Sequence, residues 1–311
     1  MAVLTAPAQR EQAPPARRGP AARRRTAGYL FILPIVVFFA FFVGYPLVRS
    51  LYLSLTQWSG YGRPKFVGLL NFSQLLGDPV FWQALRTTLI FTASTMILQT
   101  ALPMLLAVFL HRGWKGSVVF RTLLFVPAVI SLVVTGVLWQ LMYDSKFGAL
   151  NGVLRAFGLG GLAHDWLADP VTVIPALILV SVWQTLGLYL VIFLAGLQGI
   201  DPTLYEAARI DGAGGRQQFF HITVPMLRRV TSVVLVLNMM NGLKTFDLIF
   251  VMTGGGPNHG SEVLGTYLYG LAFGSGAGAT PALGYATAIS MVVLVLCMVG
   301  TVVQLRLSKR G

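Results

Sequence analysis

Six long apolar stretches, residues 27–55, 85–110, 118–142, 171–197, 225–252 and 283–305, constrain this chain more than anything else in it. A helix of about 20 apolar residues crosses the roughly 30 Å of bilayer hydrocarbon. Lipid offers backbone N–H and C=O groups no partner, so such segments form helices unless strands close into a barrel. The expected fold class is therefore all-α, a polytopic membrane protein with six transmembrane helices. Composition agrees: 55% of residues are hydrophobic and only 11% charged, which excludes a soluble domain with ordinary surface chemistry.

Orientation follows from Lys and Arg. One side of the membrane receives the arginines of the N-terminal tail, Arg112, Lys115 and Arg121 between spans two and three, Arg209, Arg216, Arg228 and Arg229 between spans four and five, and Arg306, Lys309 and Arg310 at the C-terminus. The other receives only Arg63, Lys65, Arg86, Lys146 and Arg155. This asymmetry predicts that both termini and the 201–225 loop are cytoplasmic. The net charge of +13 is thus an orientation signal, and its spread over membrane-flanking loops argues against nucleic acid as a partner. Residues 1–28, rich in Ala, Pro and Arg, are expected to be a disordered basic tail or to lie on anionic lipid headgroups, with residues 29–311 as the transmembrane domain. A signal peptide is the alternative, but the first apolar stretch is too long, contains Pro34 and Pro46 and offers no convincing cleavage site.

Catalytic chemistry is missing. Cys297 has no intrachain partner, and His111, His164, His221 and His259 fall in different loops without ligand spacing, so neither a disulfide nor a metal site is expected. Gly254–Pro257 lacks the Lys-Ser/Thr of a phosphate loop, and Lys244-Thr245 lacks its glycine frame. Energised transport would then draw on an ion gradient, through a transporter or channel acting alone, or on a separate ATPase. Asp247 is the one acidic residue placed inside a predicted span, and Lys244 three residues earlier suggests a local ion pair.

The loop at 201–225, DPTLYEAARIDGAGGRQQFFHITVP, is polar yet patterned. It predicts a short helix over 202–210, a break at Gly212–Gly215, an amphipathic turn through Phe219 and Ile222, and Pro225 in the first turn of the next span. Glu206-Ala207-Ala208, Gly212, Ile222 and Pro225 match the spacing E-A-A-x3-G-x9-I-x-L-P, with Val224 where Leu is usual. In this the chain resembles the permease subunits of binding-protein-dependent ABC importers. GYPLVRSLYLSLTQW (44–58), FVGLLNF (66–72), FRTLLFVPAVIS (120–131), FDLIFVMTGGGP (246–257) and GYATAIS (284–290) are similar to the carbohydrate-uptake branch, which includes the maltose and glycerol-3-phosphate permeases.

The resemblance, which covers residues 27–305, implies the type I importer permease fold. It implies a second homologous permease, an ATPase dimer that binds ATP and Mg, and an extracytoplasmic binding protein that delivers a sugar, with no cofactor on this chain. It also implies that the 201–225 loop carries a coupling helix seated in the ATPase cleft through Glu206, Ala207, Ala208, Asp211, Gly212, Ala213 and Phe219. Gly214-Gly215 departs from the family's bulkier pair, and the second loop lacks the large insert of the maltose permease, so the binding protein would meet short loops.

Two polar stripes suggest where a substrate sits. Ser181, Gln184, Thr185 and Leu188 in span four, and Asn238, Asn241, Gly242 and Thr245 in span five, share the spacing of one helical face. Spacing alone does not separate a wet cavity from hydrogen bonding between helices. The resemblance implies the cavity, since the family's sugar contacts fall on these stripes. Trp139, Trp183 and Tyr189 are candidate stacking faces.

Overall fold

The computed structural model describes residues 31–111, 113, 115–274 and 280–309. The expected basic tail, Arg112 and Arg310 lie outside the described residues. Residues up to Arg49 and those from Ser50 onward belong to two compact units. The first holds most of α1 (Phe31–Ser54), an apolar helix with a π-turn at Ala40–Gly44 whose side chains are exposed almost throughout.

In the second unit, β1 (Thr56–Gln57) and β2 (Lys65–Phe66) pair antiparallel, Thr56 opposite Phe66. The buried Asn71 amide, in α2 (Leu70–Gly77), donates to the Ser54 and Thr56 carbonyls at 2.8 and 2.9 Å. The remaining elements are α3 (Pro79–His111), α4 (Ser117–Phe125), α5 (Leu132–Tyr143), α6 (Ala149–Ala156), α7 (Val173–Gln198), α8 (Pro202–Ile210), α9 (Gly215–Met226), α10 (Arg228–Leu243), α11 (Asp247–Met252), α12 (Leu264–Phe273) and α13 (Leu283–Lys309). The small sheet aside, the regular structure of the described residues is helical, as the apolar pattern requires.

Four helices, α1, α3, α7 and α13, are each long and apolar enough to cross a membrane, and two bent pairs bring the possible total to six among the described residues. The third span is bent by 103° between α4 and α5. Pro127 sits in a 3₁₀ turn, Ile130 is extended, and the Ser131 hydroxyl caps α5 by accepting from the Val134 N–H. Breaking a helix strands carbonyls; here Ile130 O accepts from Gln184 Nε2 of α7 at 3.1 Å. Gly187 lets α7 approach this segment, for a Cβ there would meet the Leu124 carbonyl oxygen and the Phe125 Cα.

The fifth span departs most from expectation. One helix over 225–252 is replaced by α9 and α10, bent 68° at Leu227, and by α11, which begins only after a break at 244–246. Phe246 has left the helix axis to stack on Phe250 and pack on Tyr269 of α12, with ring centroids 5.0 and 5.1 Å apart. The predicted ion pair on one helical face is corrected accordingly. Lys244 caps α10, Asp247 opens α11, and no salt bridge joins them, because the break takes them off a common helix.

The core lies where α3 packs along α7 and α10. Tyr189, Leu190, Phe193 and Leu194 of α7 meet Ala107 and Leu110 of α3 and Val234 of α10, while Val173–Val182 pack on Leu248–Met252 of α11. This places the polar stripes of α7 and α10 on either side of α3.

Candidate functional site

A cavity of about 290 Å³ opens between α3, α7 and the break that separates α10 from α11. Of the predicted lining residues, Ser181, Gln184, Thr185, Asn241, Gly242 and Thr245 are brought together on its wall. Gln99 of α3 donates to the Ser181 hydroxyl at 3.0 Å, and Thr185 donates back to the Ser181 carbonyl at 2.9 Å. Gln184 is only 6% exposed; its amide is committed to Ile130, and its Oε1 has no partner among the described residues. An orphaned buried acceptor costs free energy unless something outside the chain satisfies it. Gly242 lets α10 pack closely on α3 beside the cavity, since a Cβ would lie 2.8 Å from the Thr92 side chain.

Two of the predicted residues lie off this cavity. Asn238 does not reach the cavity: it is 1% exposed and its amide donates to Thr100 Oγ1 at 3.5 Å. Asn238 lies one turn before Gly242, below the opening at the break, and joins α10 to α3 instead. Leu188, 45% exposed, is absent from the cavity wall because α7 buries its polar neighbours toward α3 and turns Leu188 elsewhere. Trp139 and Trp183 also lie apart, stacked edge-to-face at 5.4 Å beside Tyr143, whereas Tyr189 does line the cavity.

Several wall residues escaped the sequence reading: Phe91, Thr95 and Gln99 of α3, and Lys244, Phe246 and Asp247 at the break. The α3 contribution had a legible signal. Thr88, Thr92, Thr95 and Gln99 form a third polar stripe at helical spacing, and all four are buried. The break had no comparable signal, because it depends on where the Phe246 ring packs.

In the 201–225 loop α8 forms as its residues dictate. The Asp201 carboxylate accepts from the Thr203 N–H at 2.9 Å, Pro202 takes the first turn, and Gly212 stops the helix with φ of 78°. The N–H and hydroxyl of Thr203 hold the Asp201 carboxyl below its ordinary range. Glu206, Ala207, Asp211 and Gly212 are exposed, Ala208 and Ala213 half-buried. Tyr205 Oη and Thr223 Oγ1 are 3.0 Å apart and tie α8 to α9. Phe219 points beneath α8, into a hollow of about 520 Å³ that it shares with His111, Tyr205 and Arg209. Ile210 at the end of α8 is an apolar side chain 87% exposed. Among the described residues no three metal-ligating side chains come together.

The geometry agrees with known proteins. The family described as binding-protein-dependent transport system inner membrane component matches residues 99–310. The chain is 39% identical over 288 residues to the probable ABC transporter permease protein YurN of Bacillus subtilis, covering 91% of this chain and 96% of that one. It is 35% identical to the lactose transport system permease protein LacF of Rhizobium radiobacter, over 89% and 92% of the two chains. Among solved structures it superposes with a TM-score of 0.79 and 25% identity on a bacterial ABC transporter involved in the import of the acidic polysaccharide alginate, covering 93% and 97%. A membrane bundle with an exposed E-A-A helix, matched over most of its length to such relatives, belongs to the binding-protein-dependent transport inner membrane components, the permease subunits of ABC importers.

Proposed function

We propose that the cavity between α3, α7 and the α10–α11 break is where a saccharide delivered by an extracytoplasmic binding protein rests during import. A chain of this family is a transport subunit of the inner membrane, and ATP is hydrolysed on a separate subunit. That sets aside the gradient-driven transporter acting alone. The observation that carries the substrate reading is the wall of amides and hydroxyls with an unpartnered buried acceptor, Gln184 Oε1. Such groups suit sugar hydroxyls, each of which donates and accepts. The lactose permease relative supports a sugar as the cargo class. In the same reading the exposed face of α8, with Glu206, Ala207, Ala208, Asp211, Gly212 and Ala213, meets an ATPase dimer, Phe219 supports it from below, and a second homologous permease completes the pathway.

The test is Gln99→Leu and Ser181→Ala, each in the assembled complex. Each removes a hydrogen-bonding group from the cavity wall, and a lost bond costs about 0.5–1.5 kcal/mol. The apparent affinity of sugar uptake should fall by a factor of about 2–10 while the complex assembles at normal abundance. Lower abundance with an unchanged uptake constant would sink the assignment, because that is what purely interhelical hydrogen bonds predict.

A further inference from the structure

Two charges stand on the cavity wall where helix packing alone does not require them. Lys244 follows the last residue of α10 and Asp247 is the first of α11; both are exposed and line the cavity, Lys244 bordering also the apolar hollow before Cys297 of α13. Each has a local benefit, since a cation suits a helix C-terminus and a carboxylate an N-terminus. That benefit leaves both charges unneutralised. Among the described residues neither side chain makes a hydrogen bond or ion pair, and the one ion pair joins His259 to Glu262. Ionisable groups among membrane-spanning helices are costly unless they pair or face water or a ligand.

The rest of the wall is uncharged: Gln99, Ser181, Gln184, Thr185, Asn241 and Thr245 offer amides and hydroxyls, Phe91 and Tyr189 flat faces. The cavity therefore holds one fixed cation, one fixed anion and no net charge. We propose that Lys244 and Asp247 make it selective for uncharged saccharides, Asp247 accepting two hydrogen bonds from a vicinal diol and Lys244 donating to a hydroxyl or ring oxygen. The inference rests on reading this cavity as the substrate site. A neutral diol gains charge-assisted hydrogen bonds from both residues and brings no charge to desolvate. A uronate gains Lys244 but confronts Asp247, and an amino sugar gains Asp247 but confronts Lys244; each must also shed the hydration of its own charge. The class so defined differs from the acidic polysaccharide carried by the structural neighbour.

The experiment measures direct saccharide binding to the whole transport complex in nanodiscs, without the binding protein, so that the permeases alone discriminate. The probes are a panel of neutral disaccharides (lactose, maltose, trehalose), an alginate disaccharide and a glucosamine disaccharide. The wild-type complex should bind a neutral member and neither charged one. Asp247→Asn should weaken that neutral sugar about tenfold, the difference between a charged and a neutral acceptor, and admit the alginate disaccharide. Lys244→Gln should admit the glucosamine disaccharide. A wild-type complex that prefers a charged probe, or binds no neutral one, overturns the proposal. So does an unchanged rank order in both variants while Gln99→Leu still weakens binding, or a loss of complex abundance with no change in selectivity, which would mark the charges as helix-end stabilisers. If Gln99→Leu and Ser181→Ala also leave binding unaltered, the cavity itself is not the site, and the proposal falls with it.

Discussion

Asp78 shows how much one carboxylate can hold together. It caps the start of α3 by accepting from the Val80 N–H at 2.9 Å and also accepts the hydroxyls of Tyr267 and Tyr285, so three helices meet on one side chain. Burial pushes its carboxyl up, but the two tyrosine hydroxyls and the backbone N–H groups of Phe81 and Val80 outweigh that and hold it below its ordinary value. A group with a depressed folded pKa contributes stability above its unfolded value and loses it as pH falls through the folded one. Thermal unfolding of the purified complex should therefore lose stability on acidification below the usual carboxylate range. Asp78→Asn should be less stable near neutrality and lack that acid step. An Asp78→Asn variant with the same acid profile as the wild type would show that other carboxylates carry the transition.

At the scale of elements, α8 was legible almost residue by residue. Asp201 as cap, Pro202 in the first turn and Gly212 as stop are local signals, and the predicted limits 202–210 match the helix formed. The predicted single helix of the fifth span was not legible, because its ends at Leu227 and Leu243 answer to packing: the Thr92 side chain against Gly242, and Phe246 against Phe250 and Tyr269. The same holds for the bend in the third span, where Gln184 supplies from another helix the partner that the broken backbone needs. For α8 the expected consequence is functional. Glu206→Lys combined with Gly212→Asp reverses a surface charge and puts a side chain at a φ of 78° that favours glycine. Substrate-stimulated ATP hydrolysis in reconstituted complexes should be lost while the membrane bundle keeps its abundance. Full stimulation in the double variant would rule out the coupling role of this helix.

For the whole molecule, the Lys and Arg asymmetry predicts one orientation, and thiol labelling reads it directly. In a Cys297→Ala background, Tyr61→Cys and Phe147→Cys, at side chains 81% and 92% exposed, should react with an impermeant reagent in intact cells. Arg216→Cys, beside α8, should react only after permeabilisation. Labelling of Arg216→Cys from outside would invert the topology. Hydropathy and local capping signals made the membrane class, the six apolar stretches and the limits of α8 legible from sequence alone, because each rests on solvent or on neighbours within a few residues. Tertiary structure alone decided which polar stripe faces which. It sealed Asn238 against Thr100, carried Leu188 off the cavity wall, brought Gln99 onto it, and parted Lys244 from Asp247. Those outcomes turn on where distant helices touch and where their backbones break, and period and composition along one helix carry no record of either.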